Sequence, residues 1–427
     1  MIDRILAPAF KQVDNIEIIP ARPHVLSNGI KTFVISGGEQ EVVRVEFIFD
    51  NVNWDPANPL LSCATNTMLN DGTSELSASQ IAEKIDYYGA FLKTDYGYDH
   101  STITLFTLNK HLAATLPIVK AIIADSIFPE EELETFIRNQ KQKLSVSLEK
   151  NDFLARLAFN KVIFGNTTLY GHAAEANDYD KLTRSQLKDY FKKIYQPKNC
   201  TIIISGKVTD EALHLLDKYF GENWGEIGID FSRNKFTFSK KNGEDHYLEK
   251  PDAVQAAIRV GQLSVNRTHA DFMGLQVLNT ALGGYFGSRL MANIREDKGY
   301  TYGIGSGLMS FKDAGCFVIA SEVGIDVCTA TIEEIKKELI RLQTELIPVD
   351  ELNLVRNYML GSILGSLENI MSHADKFKNI YFYGLGYDYY DQYIQTVKTI
   401  TSEELLKLAN EYLNFDVFER VIIGKKK

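Results

Sequence analysis

The first candidates for chemistry are the histidines, because imidazole serves both as a general base near neutral pH and as the commonest metal ligand. There are eight, His24, His100, His111, His172, His214, His246, His269 and His373. No two stand four apart, so neither H-E-x-x-H nor H-x-x-E-H, which place two ligands on one helix face, is present. The four cysteines, Cys63, Cys200, Cys316 and Cys328, form no C-x-x-C pair and read as small buried hydrophobes. Cys63 in particular lies in the apolar run LLSCA, which suits a core position better than a nucleophile. There is no G-x-S-x-G elbow and no G-x-x-x-x-G-K-[ST] phosphate loop. One dense segment remains, GGYFGSRLMANIREDKGYTYGIGSGL. In it Arg295 closes a helix whose Leu290, Met291 and Ile294 point to the core, and Gly299 permits the helix stop. Tyr300, Tyr302 and Ile304 are expected to alternate on one face of the next strand. Arg295 and Tyr302 can then meet at a helix–strand junction. A guanidinium offers five donors in a fixed fork and a phenol offers one. Each also has a plain structural use: an Arg in the last helical turn complements the helix dipole, and a strand Tyr packs. Arg289 is expected to hold neighbouring helices or acids, and Gly283, Gly284 and Gly287 to allow close packing.

The elements around this segment occur twice. NGIKTFVISGG and VVRVEFIFDN read as adjacent strands joined at a Gly-Gly turn, and AVQAAIRVGQLSV as the strand opening a second half. Helical stretches follow in each half, PLLSCATNTMLNDGT with SASQIAEKIDYYGA, and HADFMGLQVLNTALGG with GSRLMANIREDKG. A strand pair and a further helix then follow in each. The ends match best: LTRSQLKDYFKKIYQPKNCTIIISGKV and ITSEELLKLANEYLNFDVFERVIIGKK both run cap, amphipathic helix, loop and apolar strand. Their N-caps, Thr183 and Thr401, lie 218 residues apart, a duplicated domain rather than a short repeat. The expected fold class is α+β, with two homologous domains facing each other as a clamshell, each a mostly antiparallel sheet with helices to one side. The divisions are residues 1–225, a polar linker at 226–250, and residues 251–427.

Composition excludes several roles. With 427 residues the chain can bury cores without staples. Its net charge of −10 and the lack of a basic block argue against nucleic acid. The N-terminal stretch is too polar for a signal peptide and no apolar run reaches the length of a membrane span, so the expected compartment is cytoplasmic.

The segment from Gly283 to Leu308 resembles the second-domain signature of the pitrilysin and insulysin zinc peptidases. There a helix with S-R-L and a later Arg leads through a short turn to a strand Tyr, matched here by Ser288-Arg289-Leu290, Arg295 and Tyr302. LSNGIKTFVI and YGHAAEANDYDKLTRSQLKDYFKKIYQPKNCTIIISGKV resemble the opening and the end of that family's first domain, so the resemblance spans about residues 20 to 425. The family's H-x-x-E-H precedes a Gly-Thr. Aligned on Gly72-Thr73, its two histidines fall at Cys63 and Thr67 and its catalytic Glu at Asn66. Its third ligand falls near Leu144. Zinc needs three N, S or carboxylate ligands and a water, and an amide at position 66 cannot take the water's proton as a Glu does.

The resemblance therefore implies a noncatalytic Arg/Tyr-type subunit, like the partner chain of heterodimeric two-domain bacterial members. It implies no cofactor in this chain and zinc in the partner. The implied partners are a peptide substrate and a homologous subunit bearing H-x-x-E-H, with self-pairing of this chain in isolation. Arg295 and Tyr302 would contact substrate. The alternative is a structural or peptide-binding scaffold of the same family without a peptidase role.

Overall fold

Runs of β-branched and aromatic residues build the sheets of this chain. In a computed structural model, residues 16–225, 231, 234–239 and 241–425 are described. The N-terminal stretch through residue 15, including most of the segment read against a signal peptide, and part of the expected linker lie outside them. The first sheet holds β1 (Arg22–Val25), β2 (Lys31–Ser36), β3 (Val42–Asp50), β4 (Phe91–Tyr96), β5 (His100–Leu108) and β6 (Cys200–Gly206), in the order β1-β2-β6-β3-β5-β4. The second holds β7 (Asp245–Glu249), β8 (Gln255–Ser264), β9 (Thr301–Ser310), β10 (Gly315–Gly324) and β11 (Glu419–Gly424), in the order β7-β11-β8-β10-β9. Strands β2-β6-β3-β5-β4 and β7-β11-β8-β10-β9 repeat one pattern. One outer pair is parallel, β2 with β6 and β7 with β11, and the other pairs are antiparallel. The two-part α+β architecture expected from the repeat is present.

Three local expectations are corrected. β2 and β3 are not neighbours, because β6 lies between them, pairing Phe33 with Ile203 on one edge and Phe47 with Ile202 on the other. A strand as apolar as β3 is stable where its edges and faces are all covered, and the equally apolar β6 covers one edge. The last residues of the expected linker form β7, which pairs along the edge of β11. Its mostly exposed side chains hid it among polar sequence. The helices, finally, do not keep to one side of each sheet. The far face of each sheet is covered by a helix from the other half. The Asn151–Phe164 helix lies on β8 and β11, with Ala155, Phe159 and Ile163 against Ala257, Val421 and Ile423. The Ile370–Tyr381 helix lies on β2 and β6, with Ala374 and Phe377 against Ile35, Ile48 and Ile203. Burying one such Phe stabilises by roughly 1.5–3 kcal/mol. The second contact also carries charge. Arg44 of β3 donates to both carboxylate oxygens of Asp375, at 2.9 and 3.3 Å, and Glu46 receives Arg44 and Lys378. Buried charges persist when they are paired in this way.

The two matched ends fold as their sequences imply. Thr183 and Thr401 each accept a hydrogen bond from the backbone three residues on, and Gln186 and Glu404 reach back to complete capping boxes. Where the halves meet, a cavity of about 840 Å³ opens between residues such as Asn28, Asp50 and Trp224 and the second half's Lys312, Tyr381 and Phe382. Among the described residues no helix is long and apolar enough to cross a membrane.

Candidate functional site

The positions expected to align with a zinc motif lie on the short helix Leu61–Thr67. Its buried side carries Ser62, Ala64, Thr65 and Asn66, and Cys63 and Thr67, four apart, share a half-buried face. The Thr67 hydroxyl donates to the Cys63 carbonyl at 2.8 Å. Asn66 is fully buried and its amide donates to the Tyr195 hydroxyl at 3.2 Å. Ser62 donates to the Tyr96 hydroxyl at 3.2 Å. Burial pushes the Cys63 thiol up, with the Thr67 hydrogen bond acting the other way. A metal takes the thiolate, so this environment opposes the single sulfur donor available. Burial likewise pushes the Tyr96 and Tyr195 phenols up, so both stay neutral. Leu144, buried in the Glu130–Leu148 helix, has no donor atom to offer. Among the described residues no group of three or more His, Cys, Asp or Glu could hold a metal ion. The tyrosines that close off this helix were not singled out from sequence, because Tyr96 and Tyr195 are 99 positions apart.

Arg295 and Tyr302 lie in a different setting. The helix begun by Arg289 and Leu290 widens into π-type turns over Met291–Asp297, with Leu290, Met291 and Ile294 buried as expected. Such turns carry one more residue than an α-helical turn. Gly299 ends the segment at φ +66°, a left-handed conformation that costs a glycine little. The Arg295 guanidinium sits 4.5 Å from the centroid of the Phe286 ring and 5.7 Å from that of Tyr302. The structure thus brings the two residues together and adds Phe286, which sequence reasoning missed. Tyr302 is 92% exposed and Phe286 63%. Among the described residues no hydrogen bond or ion pair engages the Arg295 guanidinium.

The expected alternation of Tyr300, Tyr302 and Ile304 on one face is corrected. Thr301 pairs with Val323 and Ile304 with Ser321, so β9 carries one residue more than β10 between those pairs. A bulge of this kind re-aims a side chain. Here Thr301 steadies it by bonding the Gly303 and Glu322 carbonyls at 2.9 and 2.6 Å, and Tyr302 points to solvent while Ile304 is buried. The neighbouring arginine behaves oppositely. Arg289 is buried and forks onto Glu351 at 2.7 and 3.0 Å, the structural contact expected of it. A Cβ at Gly283 would lie 2.6 Å from the Ser306 hydroxyl, so this glycine does allow close packing against β9. The two sets of residues pack chiefly against different elements. The Leu61–Thr67 helix packs on the Arg184–Ile194 helix, β4 and β5, whereas the Met291–Asp297 turns pack on β9 and the Cys328–Thr344 helix.

The family model described as the peptidase M16 inactive domain matches residues 181–359, a span that includes Arg295 and Tyr302. Over that span the chain is similar to the M16 peptidases. It is 25% identical over 347 residues to YmxG of Bacillus subtilis, named an uncharacterized zinc protease, covering 81% of this chain and 83% of that protein. It is 23% identical over 366 residues to a YmxG of Helicobacter pylori named a non-peptidase homolog, covering 84% and 83%. The fold is shared with a peptidase M16 inactive domain from Pseudomonas fluorescens, at TM-score 0.83 and 21% identity over 95% of this chain and 98% of that one. It is also shared with a chain of Complex III2 from Candida albicans, at TM-score 0.76 and 12% identity over 94% and 95%. The helix expected, from the resemblance, to align with H-x-x-E-H carries Cys63, Asn66 and Thr67.

Proposed function

We propose that this chain is the noncatalytic, substrate-binding subunit of a heteromeric zinc peptidase that cleaves peptides. Zinc and the general base belong to a homologous H-x-x-E-H partner, and Arg295 and Tyr302 supply donors from this chain. The observation that carries the reading is the state of the Arg295 guanidinium. It is held in place by two aromatic rings, yet among the described residues no acceptor occupies its donors. Zinc-assisted attack on a peptide bond puts negative charge on the carbonyl oxygen. Donors already oriented toward that charge stabilise the transition state more than the ground state. Arg295 and Tyr302 are suited to donate to that oxygen or to adjacent substrate carbonyls.

The test is to purify this chain and a homologous H-x-x-E-H chain, then measure zinc content and peptidolysis separately and mixed. Zinc is expected in the partner alone and full activity only in the mixture. Tyr302→Phe should slow the mixture by about 10- to 100-fold while the two chains still co-elute. Co-elution without any peptidolysis supports the scaffold role instead. Unchanged rates in both Tyr302→Phe and Arg295→Ala would refute the assigned contacts.

A further inference from the structure

A polar cleft of about 390 Å³ lies further along β9 from Tyr302, within the size range of small-ligand sites. Ser306 of β9 and Tyr358 of the Val349–Gly365 helix line it, together with Arg267 and Lys376. No Asp or Glu is among its described lining residues. Arg267 donates to the Asn379 carbonyl at 2.7 Å and stands 5.2 Å from the Tyr383 ring centroid, while its buried Nε has no partner. Burial, and then the Arg267 charge, push the Lys376 amine down. The adjacent Asp375 acts the other way, but its carboxylate is engaged by Arg44 and Lys378. Asp391 lines the neighbouring cleft that Arg267 also borders, and no ion pair joins them among the described residues. Asn279, 9% exposed in the same cleft, has a buried amide oxygen without a hydrogen bond. Two cations without a facing carboxylate and an unanswered buried amide form an incomplete set. Protein interiors rarely leave such groups unmet.

The cleft wall contacts a residue next to the Arg295 cluster. Phe286, under the Arg295 guanidinium, follows Tyr285, whose ring lies 4.9 Å from that of Tyr358 in the cleft wall. Ser306 and Ser310 follow Tyr302 by four and eight residues on β9, roughly 13 and 26 Å along an extended strand. The Arg267 backbone bonds the Ser310 hydroxyl at 3.0 Å.

We propose that this cleft binds a carboxylate of the bound peptide, whether its C-terminus or an Asp or Glu side chain. This rests on the reading of Arg295 and Tyr302 as peptide-facing. A peptide running beside β9 brings such a group to Arg267 and Lys376 when it lies about four to eight residues from the bond at Tyr302. The Asn279 amide oxygen is then available to a peptide N–H.

The experiment is fluorescence anisotropy of the full chain with four labelled dodecapeptides of one otherwise neutral sequence. One has a free C-terminus and one an amidated C-terminus. Two more are amidated and carry either Glu or Gln at one internal position. A carboxylate peptide is expected to bind about tenfold more tightly than its neutral twin, and high salt should erase most of that advantage in the unaltered chain. The free terminus alone winning identifies the C-terminus as the source, and Glu alone winning identifies the side chain. Arg267→Gln with Lys376→Gln should abolish the advantage, with circular dichroism confirming that the fold is kept. Equal binding of each carboxylate peptide and its twin in the unaltered chain overturns the proposal. Weaker binding of all four peptides to Arg295→Ala, without any carboxylate preference, would leave the peptide-facing reading intact and remove this one. A carboxylate preference that persists while Arg295→Ala and Tyr302→Phe bind as the unaltered chain does would do the reverse.

Discussion

The Leu61–Thr67 helix and the Met291–Asp297 turns are both short, and both carry or adjoin the polar groups that the sequence singled out. They differ in what the fold does with those groups. In the first, Asn66 is buried and donates to Tyr195 while its amide oxygen has no hydrogen-bond partner among the described residues, the Thr67 hydroxyl is taken by the Cys63 carbonyl, and Ser62 reaches Tyr96. In the second, Arg295 and Tyr302 stand against each other at the surface, and among the described residues their donors are unclaimed. Polar groups buried inside their own chain hold structure. Polar groups oriented but left open are the ones a ligand can use. Arg289 and Arg295, six residues apart on one segment, make the same contrast at close range.

That contrast can be broken at several points. Arg289→Ala leaves Glu351 without its fork and should destabilise the chain by about 3 kcal/mol, whereas Arg295→Ala should stay within about 0.5 kcal/mol of the unaltered chain. Urea denaturation of the two variants measures the difference, and equal losses would erase the distinction between them. On the first wall, Asn66→Asp places a carboxylate in a fully buried position beside Tyr195. Its expected cost at neutral pH is about 2–3 kcal/mol, read from the same denaturation curves, and a neutral result would mean that water reaches this helix.

A smaller effect should appear at Asp71, in the turn that follows the Leu61–Thr67 helix. Burial, and then the charge of Glu132, push its carboxyl up to about 6. The folded chain therefore holds this proton to a higher pH than the unfolded chain, and the group lowers stability as pH rises from about 4 through about 6. Asp71→Asn should raise the melting temperature at pH 8 and leave it unchanged near pH 3.5. An equal gain at both pH values would show that charge is not the cause. Smallest of all, Thr183→Ala and Thr401→Ala remove matched caps from the two halves and should cost about 1 kcal/mol each. A large difference between them would show that the ends of the repeat are not equivalent in the fold.

Much of the architecture was legible because it rests on local pattern. The capping boxes at Thr183 and Thr401, the paired hairpins and the apolar strands all announce themselves within a few residues. The exchanged helices were not legible. Periodicity shows that Phe159 and Phe377 are buried but not which sheet buries them. β7 escaped notice because an edge strand with exposed side chains has the composition of a linker. The bulge at Tyr302 is a matter of register between β9 and β10, which no single strand encodes. At the site, Arg295 and Tyr302 could be found because they are close in sequence and match a family motif. The ring of Phe286 was passed over within that same segment. Arg267 and Lys376, 109 positions apart, become neighbours only when the Ile370–Tyr381 helix crosses to the first sheet.

The most direct measurement is kcat/KM for peptide cleavage by the assembled pair, comparing Arg295→Ala with Cys63→Ala in this chain. The account predicts a loss of about 100- to 1,000-fold for Arg295→Ala and less than a twofold change for Cys63→Ala, with assembly and zinc content the same in both. Comparable losses from the two substitutions, or a loss confined to Cys63→Ala, would contradict it.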